Sequence, residues 1–231
     1  MGEAAGSMKT AEGKRAGCPA GKAEMRKGYG RIYPKRTFRI GIAALTPSCG
    51  TTHLAVAAAN YFASKERMSV LYVECVPAKG VIGLRTKQIV TRRGVAGFVR
   101  DGVEFMPGCS TAEALQLLAE RDEVIIVESS VAADGVQGIL ARCDRCIFTF
   151  SAKPWHYHTL QMGMKQMLQQ QDGIAQGEYG SFALTKREEK RLYEEFHLRG
   201  TRIPYIADPY SLNRDDLRFL KWFLAGSESF G

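Results

Sequence analysis

The sequence predicts an α/β fold, a doubly wound, mostly parallel sheet flanked by helices, on two observations. Residues 38–74 read as a buried strand, a glycine-containing loop, a helix and a second buried strand. Short apolar runs then recur at residues 124–128, 145–150, 181–185 and 201–207, separated by stretches with helical spacing. In the first unit, Arg39 to Leu45 is a mostly apolar run of strand length, suited to a strand covered on both faces. Gly50 allows a tight entry into a helix over residues 51–64, with Leu54, Ala57, Ala58, Tyr61 and Phe62 spaced along one packed face. The alanines at 55, 57, 58 and 59 let that helix lie close to the sheet, and its N-terminus offers free N–H groups to an anion. Val70 to Val73 forms the next buried strand and ends in Glu74, while Val124 to Val127 runs into Glu128.

The loop between the first strand and helix has the spacing of a phosphate loop, G-x-x-x-x-G-K-[ST], without its charge. That pattern works because backbone N–H groups wrap the phosphates, lysine neutralises them and the hydroxyl holds magnesium. Here Leu45 stands at the first glycine, Gly50 at the second, Thr51 at the lysine and Thr52 at the hydroxyl. Losing one charge-assisted contact to a buried phosphate forfeits on the order of 1.5–3 kcal/mol, and hydrolysis suffers more because charge develops during transfer.

On these residues the chain resembles the MinD/ParA family of deviant P-loop ATPases, over about residues 37–226. The family loop K-G-G-V-G-K-T-T falls on Thr46, Pro47, Ser48, Cys49, Gly50, Thr51, Thr52 and His53, so both family lysines are replaced by threonine. The resemblance implies an ATP or ADP site with magnesium, built from Ser48, Cys49, Gly50, Thr51, Thr52 and His53. Pro209, in the segment Arg202 to Tyr210, would touch the base. Thr52, Glu74 and Glu128 would hold the metal, the two glutamates standing where the family favours aspartate. With the lysines gone, the expectation is a degenerate, non-hydrolysing localisation, scaffold or regulatory module with no catalytic residue and no firm cofactor. The alternative is a slow ATPase borrowing a cation from Lys79, Arg85, Lys87 or Lys153. Family dimers form across the nucleotide face, and the lost first lysine reaches the partner's phosphate there. A homodimer or another protein partner is therefore implied, without the nucleotide sandwich.

Charge is unevenly placed. Of a formal +8 over 231 residues, residues 1–36 hold nine Lys or Arg against three Glu, leaving +2 for residues 37–231. This leader has few large apolar residues and reads as a basic disordered arm, ahead of a P-loop-like domain over 37–231. Such an arm suits nucleic acid or an anionic membrane surface, the third functional class considered, and equally suits mere solubility. Arg92-Arg93 and Lys186-Arg187 are the other candidate DNA contacts, with ordinary surface as the plainer expectation. No apolar run is long enough to span a membrane and no secretory signal precedes the domain, so a cytoplasmic protein is expected, and the resemblance implies a bacterial one recruited at most to the membrane periphery. Arg214 to Ala225 carries an apolar stripe of Leu217, Leu220, Phe223 and Leu224 beside Arg218 and Lys221, a membrane-seeking pattern or, more simply, a helix packed on the sheet.

Two further constellations compete. Cys143-x-x-Cys146 with His156 and His158 has zinc-ligand residue types, but the intervening strand carries the histidines to its far end, so packing is expected. His53 near Ser48 and Thr52 lacks an orienting acid, and Cys49 reads as a small filler.

Overall fold

The computed structural model describes residues 36–76, 80–169 and 177–225. The leader expected over 1–36 lies outside the described residues apart from Arg36, as does Lys79.

Nine strands form one sheet in the order β3-β4-β5-β2-β6-β1-β7-β8-β9, where β1 is Phe38–Ala44, β2 Val70–Glu74, β3 Ile89–Arg92, β4 Val95–Arg100, β5 Val103–Met106, β6 Val124–Ser130, β7 Arg145–Thr149, β8 Glu178–Ser181 and β9 Gly200–Arg202. All pairings are parallel except β3 with β4 and β4 with β5. The doubly wound, mostly parallel fold is thus present, with an antiparallel extension at one edge.

Its centre is made by the most continuous Val/Ile runs. Every residue of β2 is buried, and so is every residue of β6 except the last. Such runs fit strands covered on both faces. Helix α1, Thr51–Asn60, continues as a π-helical turn, Tyr61–Lys65, and together with the last helix, α6 (Arg214–Ala225), covers one face. Ala55, Ala57, Ala58 and Ala59 are fully covered, as their size allows. The other face is packed by α2 (Thr111–Leu117), α3 (Val136–Leu140), α4 (Tyr157–Gln169) and α5 (Lys186–Phe196). Leu220, Phe223 and Leu224 bury the α6 stripe in the core, so packing, not membrane contact, accounts for it. Among the described residues no helix is long and apolar enough to cross a membrane.

The late strands correct the sequence reading. The segment expected as a strand over 181–185 is paired only over Glu178–Ser181, and Phe182 to Thr185 has left the sheet to start α5. The strand expected over 201–207 is Gly200–Arg202, after which Ile203 makes one last backbone bond to the Ser181 carbonyl (2.9 Å) and Ile206 is buried outside the sheet. The β3-β4-β5 meander was not expected. Its two-residue turns, Arg93-Gly94 and Asp101-Gly102, have positive φ at all four positions (51°, 83°, 50° and 81°), the twist that two-residue hairpins require. Arg92 fastens the meander to the sheet with paired bonds to Glu104 (2.7 and 2.9 Å) and Asp122 (3.0 and 3.2 Å), and Arg93 meets Glu120 at 2.5 Å. Both candidate DNA-contacting arginines are therefore committed to carboxylates, whereas Lys186 and Arg187 stand exposed.

Helix α2 follows the turn that supports Glu74 and starts with a capping box, in which the Ser110 hydroxyl accepts from Glu113 N–H and the Glu113 carboxylate accepts from Ser110 N–H. Ser110→Ala is expected to cost about 1 kcal/mol, read as a lower urea midpoint with unchanged slope.

Candidate functional site

The loop after β1 is tied to the end of β7. Leu45 N–H donates to the Thr149 carbonyl at 2.8 Å, and Ser151 N–H donates to the Thr46 hydroxyl at 2.8 Å. Ser48 (φ 53°) and Gly50 (φ 87°) turn the chain into α1. Gly50 is required twice over, by this left-handed backbone and by the Phe182 ring, which would lie 2.6 Å from a Cβ.

Thr51, at the lysine position of the motif, faces inward and is only 7% exposed. Its hydroxyl sits 2.6 Å from that of Thr149 and 3.3 Å from Cys49 Sγ, which is itself 3.2 Å from Thr149 Oγ1. These three side chains form a closed buried set beneath the loop. Cys49 thus fills space within a hydrogen-bonded cluster.

Thr52, one residue on, meets the acidic strand ends. Residues 72 and 74 of β2, 126 and 128 of β6, and 40 and 42 of β1 are in register, and Ile40, Ile42, Tyr72 and Ile126 share the core cluster covered by α1. Glu74 and Glu128 therefore stand side by side under the start of that helix. The Thr52 hydroxyl donates to Glu128 Oε1 and the Tyr72 hydroxyl donates to Oε2. Burial pushes the Glu128 carboxyl above the usual carboxylate range, although both hydroxyl bonds pull it down, and burial likewise raises the Tyr72 phenol. Glu74 accepts from Val81 N–H at 3.0 Å through Oε1 and from Gly108 N–H at 3.2 Å through Oε2. The turn Gly80–Leu84 closes over both groups, for a Cβ on Gly80 would be 3.3 Å from Thr52 Oγ1 and from Glu74 Oε1.

Beside the loop opens a cavity of about 300 Å3, walled by Phe150, Phe182, Tyr205 and Ile206 and reached by Ser48 and His53. His53 Nε2 lies 2.7 Å from the Ile206 carbonyl, and its ring meets Phe182 edge to face at 5.9 Å between centroids. Of the residues assigned to a nucleotide from the sequence, Ser48, Cys49, Gly50 and His53 line this cavity, while Thr51, Thr52 and Pro209 do not. The Pro209 carbonyl accepts from Asn60 Nδ2 at 3.0 Å. Arg85 and Lys87 are exposed, and Lys153 is engaged by Glu188 at 3.4 Å and the Ala183 carbonyl at 3.5 Å. Tyr72, Thr149, Phe182 and Tyr205 were missed from sequence. Tyr72 alone carried a signal, because a tyrosine within a fully buried strand needs a partner for its hydroxyl.

The cysteine pair does not form a metal site with the histidines. Cys143 Sγ donates to the Ile139 carbonyl and Cys146 Sγ to that of Leu140, and burial raises both thiols, Cys146 to about 11. No cluster of three or more His, Cys, Asp or Glu suited to a metal occurs among the described residues.

Strand order, loop and helix together define a doubly wound α/β fold of the P-loop NTPase-like type. No family model and no characterised sequence matches the chain. Solved structures do. A plasmid partition protein from Borrelia burgdorferi bound to AMPPNP superposes with a TM-score of 0.60 at 15% identity, over 85% of this chain and 98% of that one. A ParA family ATPase from Chlorobium tepidum gives 0.56 at 12% identity, over 74% and 85% of the two chains. The MinC:MinD cell division complex from Aquifex aeolicus gives 0.51 at 11%, over 74% and 82%. At these identities the likeness concerns the fold.

Proposed function

We propose that this chain is a degenerate relative of the ParA and MinD ATPases that acts as a localisation, scaffold or regulatory module through a protein partner or a second copy, without hydrolysing nucleotide. The observation that carries this reading is the direct Thr52–Glu128 contact under the Gly80–Leu84 turn. In a magnesium nucleotide site a hydroxyl and an acidic strand end share a hydrated ion. Here the longer glutamate spans that distance itself and is held from its other side by Tyr72. The lysine position is meanwhile an inward threonine, and none of the residues lining the cavity is a lysine or arginine. Nucleotide and magnesium do not fit these residues.

Titration calorimetry with ATP and ADP, with and without magnesium, tests the reading. No heat at millimolar nucleotide is expected. Magnesium-dependent micromolar binding, abolished by Gly50→Arg, would revive the nucleotide switch and overturn it.

A further inference from the structure

Strand β9 ends the sheet, and its far side is open among the described residues. Ile203 N–H donates to the Ser181 carbonyl (2.9 Å), so the alternation of a parallel ladder turns the N–H and C=O groups of Thr201 and Ile203 toward β8. Gly200 and Arg202 turn theirs outward, and an edge of that kind is a template for another strand. Pro204, the next residue on that side, has no N–H to give, which confines pairing to Gly200–Arg202. Beside the edge lies a groove of about 720 Å3, lined by Gly200 and Arg202 and by Leu184, Thr185, Lys186 and Glu189 from the chain entering α5. Its charge is one-sided. Arg199, Arg202 and Lys186 are exposed and none joins an ion pair among the described residues, whereas Lys153 and Lys190 are held by Glu188 and Glu194. Glu189 is the single acid among the residues lining the groove.

We infer that the β9 edge docks an extended acidic segment of a partner protein, added to the sheet as a further strand with its carboxylates against Lys186 and Arg202. This names the partner chemistry of the module proposed above and rests on that reading's protein partner. Backbone bonds at Gly200 and Arg202 supply the attachment, and the unpaired cations select acidic over basic segments. DNA would neutralise the same cations, but its phosphates offer no donors in strand register to the Gly200 and Arg202 carbonyls.

Fluorescence anisotropy on the full chain tests it, with a labelled octapeptide of alternating valine and glutamate as probe and with the valine-lysine analogue and a short DNA duplex as comparators. Saturable binding of the acidic peptide is expected, about tenfold or more tighter than that of the basic one, with slowed hydrogen exchange at the Gly200 and Arg202 amides followed by NMR. Arg202→Gln keeps the outward N–H and removes the charge, and should weaken the probe about two- to fivefold. Arg202→Pro also removes that N–H, leaves the bonds to β8 in place and should cost about a further fivefold, the worth of one hydrogen bond. Lys186→Glu, outside the sheet, should weaken the probe about fivefold and keeps the test intact if the proline variant fails to melt cooperatively. No binding of the acidic peptide, or equal binding of both peptides, overturns this inference and leaves the functional reading to its own calorimetric test. Binding that is unchanged in Lys186→Glu and Arg202→Gln, or that leaves exchange at the two amides unaltered, overturns it as adhesion elsewhere. A duplex that displaces the probe and binds more tightly overturns it in favour of a nucleic-acid surface.

Discussion

Replacing Glu128 with alanine is expected to destabilise the protein by about 2–4 kcal/mol, because the buried Tyr72 hydroxyl and the half-buried Thr52 hydroxyl lose their acceptor together. Tyr72 is fully buried and gives its hydroxyl to Oε2, while Thr52 gives its own to Oε1. Glu128→Gln keeps an oxygen and a polar nitrogen at the same places and is expected to fold normally. The pair separates shape from charge. Burial raises the Glu128 carboxyl, so the folded chain holds that proton more tightly than the unfolded chain does. Its stabilising contribution is complete below the ordinary carboxylate range and is lost as pH rises through the raised folded value. Urea melts from pH 4 to pH 8, read at roughly one-unit steps, should therefore show Glu128→Gln gaining on the natural chain as pH increases. A constant gap between the two across that range would refute a buried, proton-retaining carboxyl.

Restoring the motif lysine, Thr51→Lys, is expected to cost about 2–4 kcal/mol and to yield no ATP turnover. The residue faces inward onto Thr149 and Cys49, and neither offers a carboxylate to an ammonium group. The substitution itself removes the Thr51–Thr149 bond, and to reach the cavity the new side chain would have to pass the loop. Even then it would meet Glu128 already bonded to Thr52. Thermal melting and phosphate release on the same sample decide the matter. Unchanged melting with measurable magnesium-dependent release would mean that only a side chain, and not the architecture around it, separates this protein from an ATPase.

The parts of the fold visible in the sequence are those fixed by local pattern. β1, β2 and β6 are continuous apolar runs because both faces of each are covered, and Gly50 marks the turn into α1 because that turn needs a left-handed residue. The edge meander escaped because Arg92-Arg93-Gly94 reads as a charged loop until Arg92 is seen to be neutralised by Glu104 and Asp122, the latter thirty residues away. Asp101-Gly102 was the local clue, an Asp-Gly pair between apolar runs. The late strands were placed too far along because Phe182 and Ile206 are apolar for the cavity and core, not for a ladder. At the site, sequence identified the missing lysine and the two acidic strand ends. It did not identify Tyr72 as the second donor to Glu128 or Phe182 as the cover over Gly50, because both relations join segments distant in the chain.

The position of β1 between β6 and β7 also sets the order of events at synthesis. β1 finds both its neighbours only after the meander, α2 and α3 have emerged. Until β6 emerges, β1 has no strand beside it, and closing those pairings spans long stretches of chain. Folding should be slow for a protein of this size, and the nascent chain vulnerable to sticking, with β1 the segment a holding chaperone would recognise.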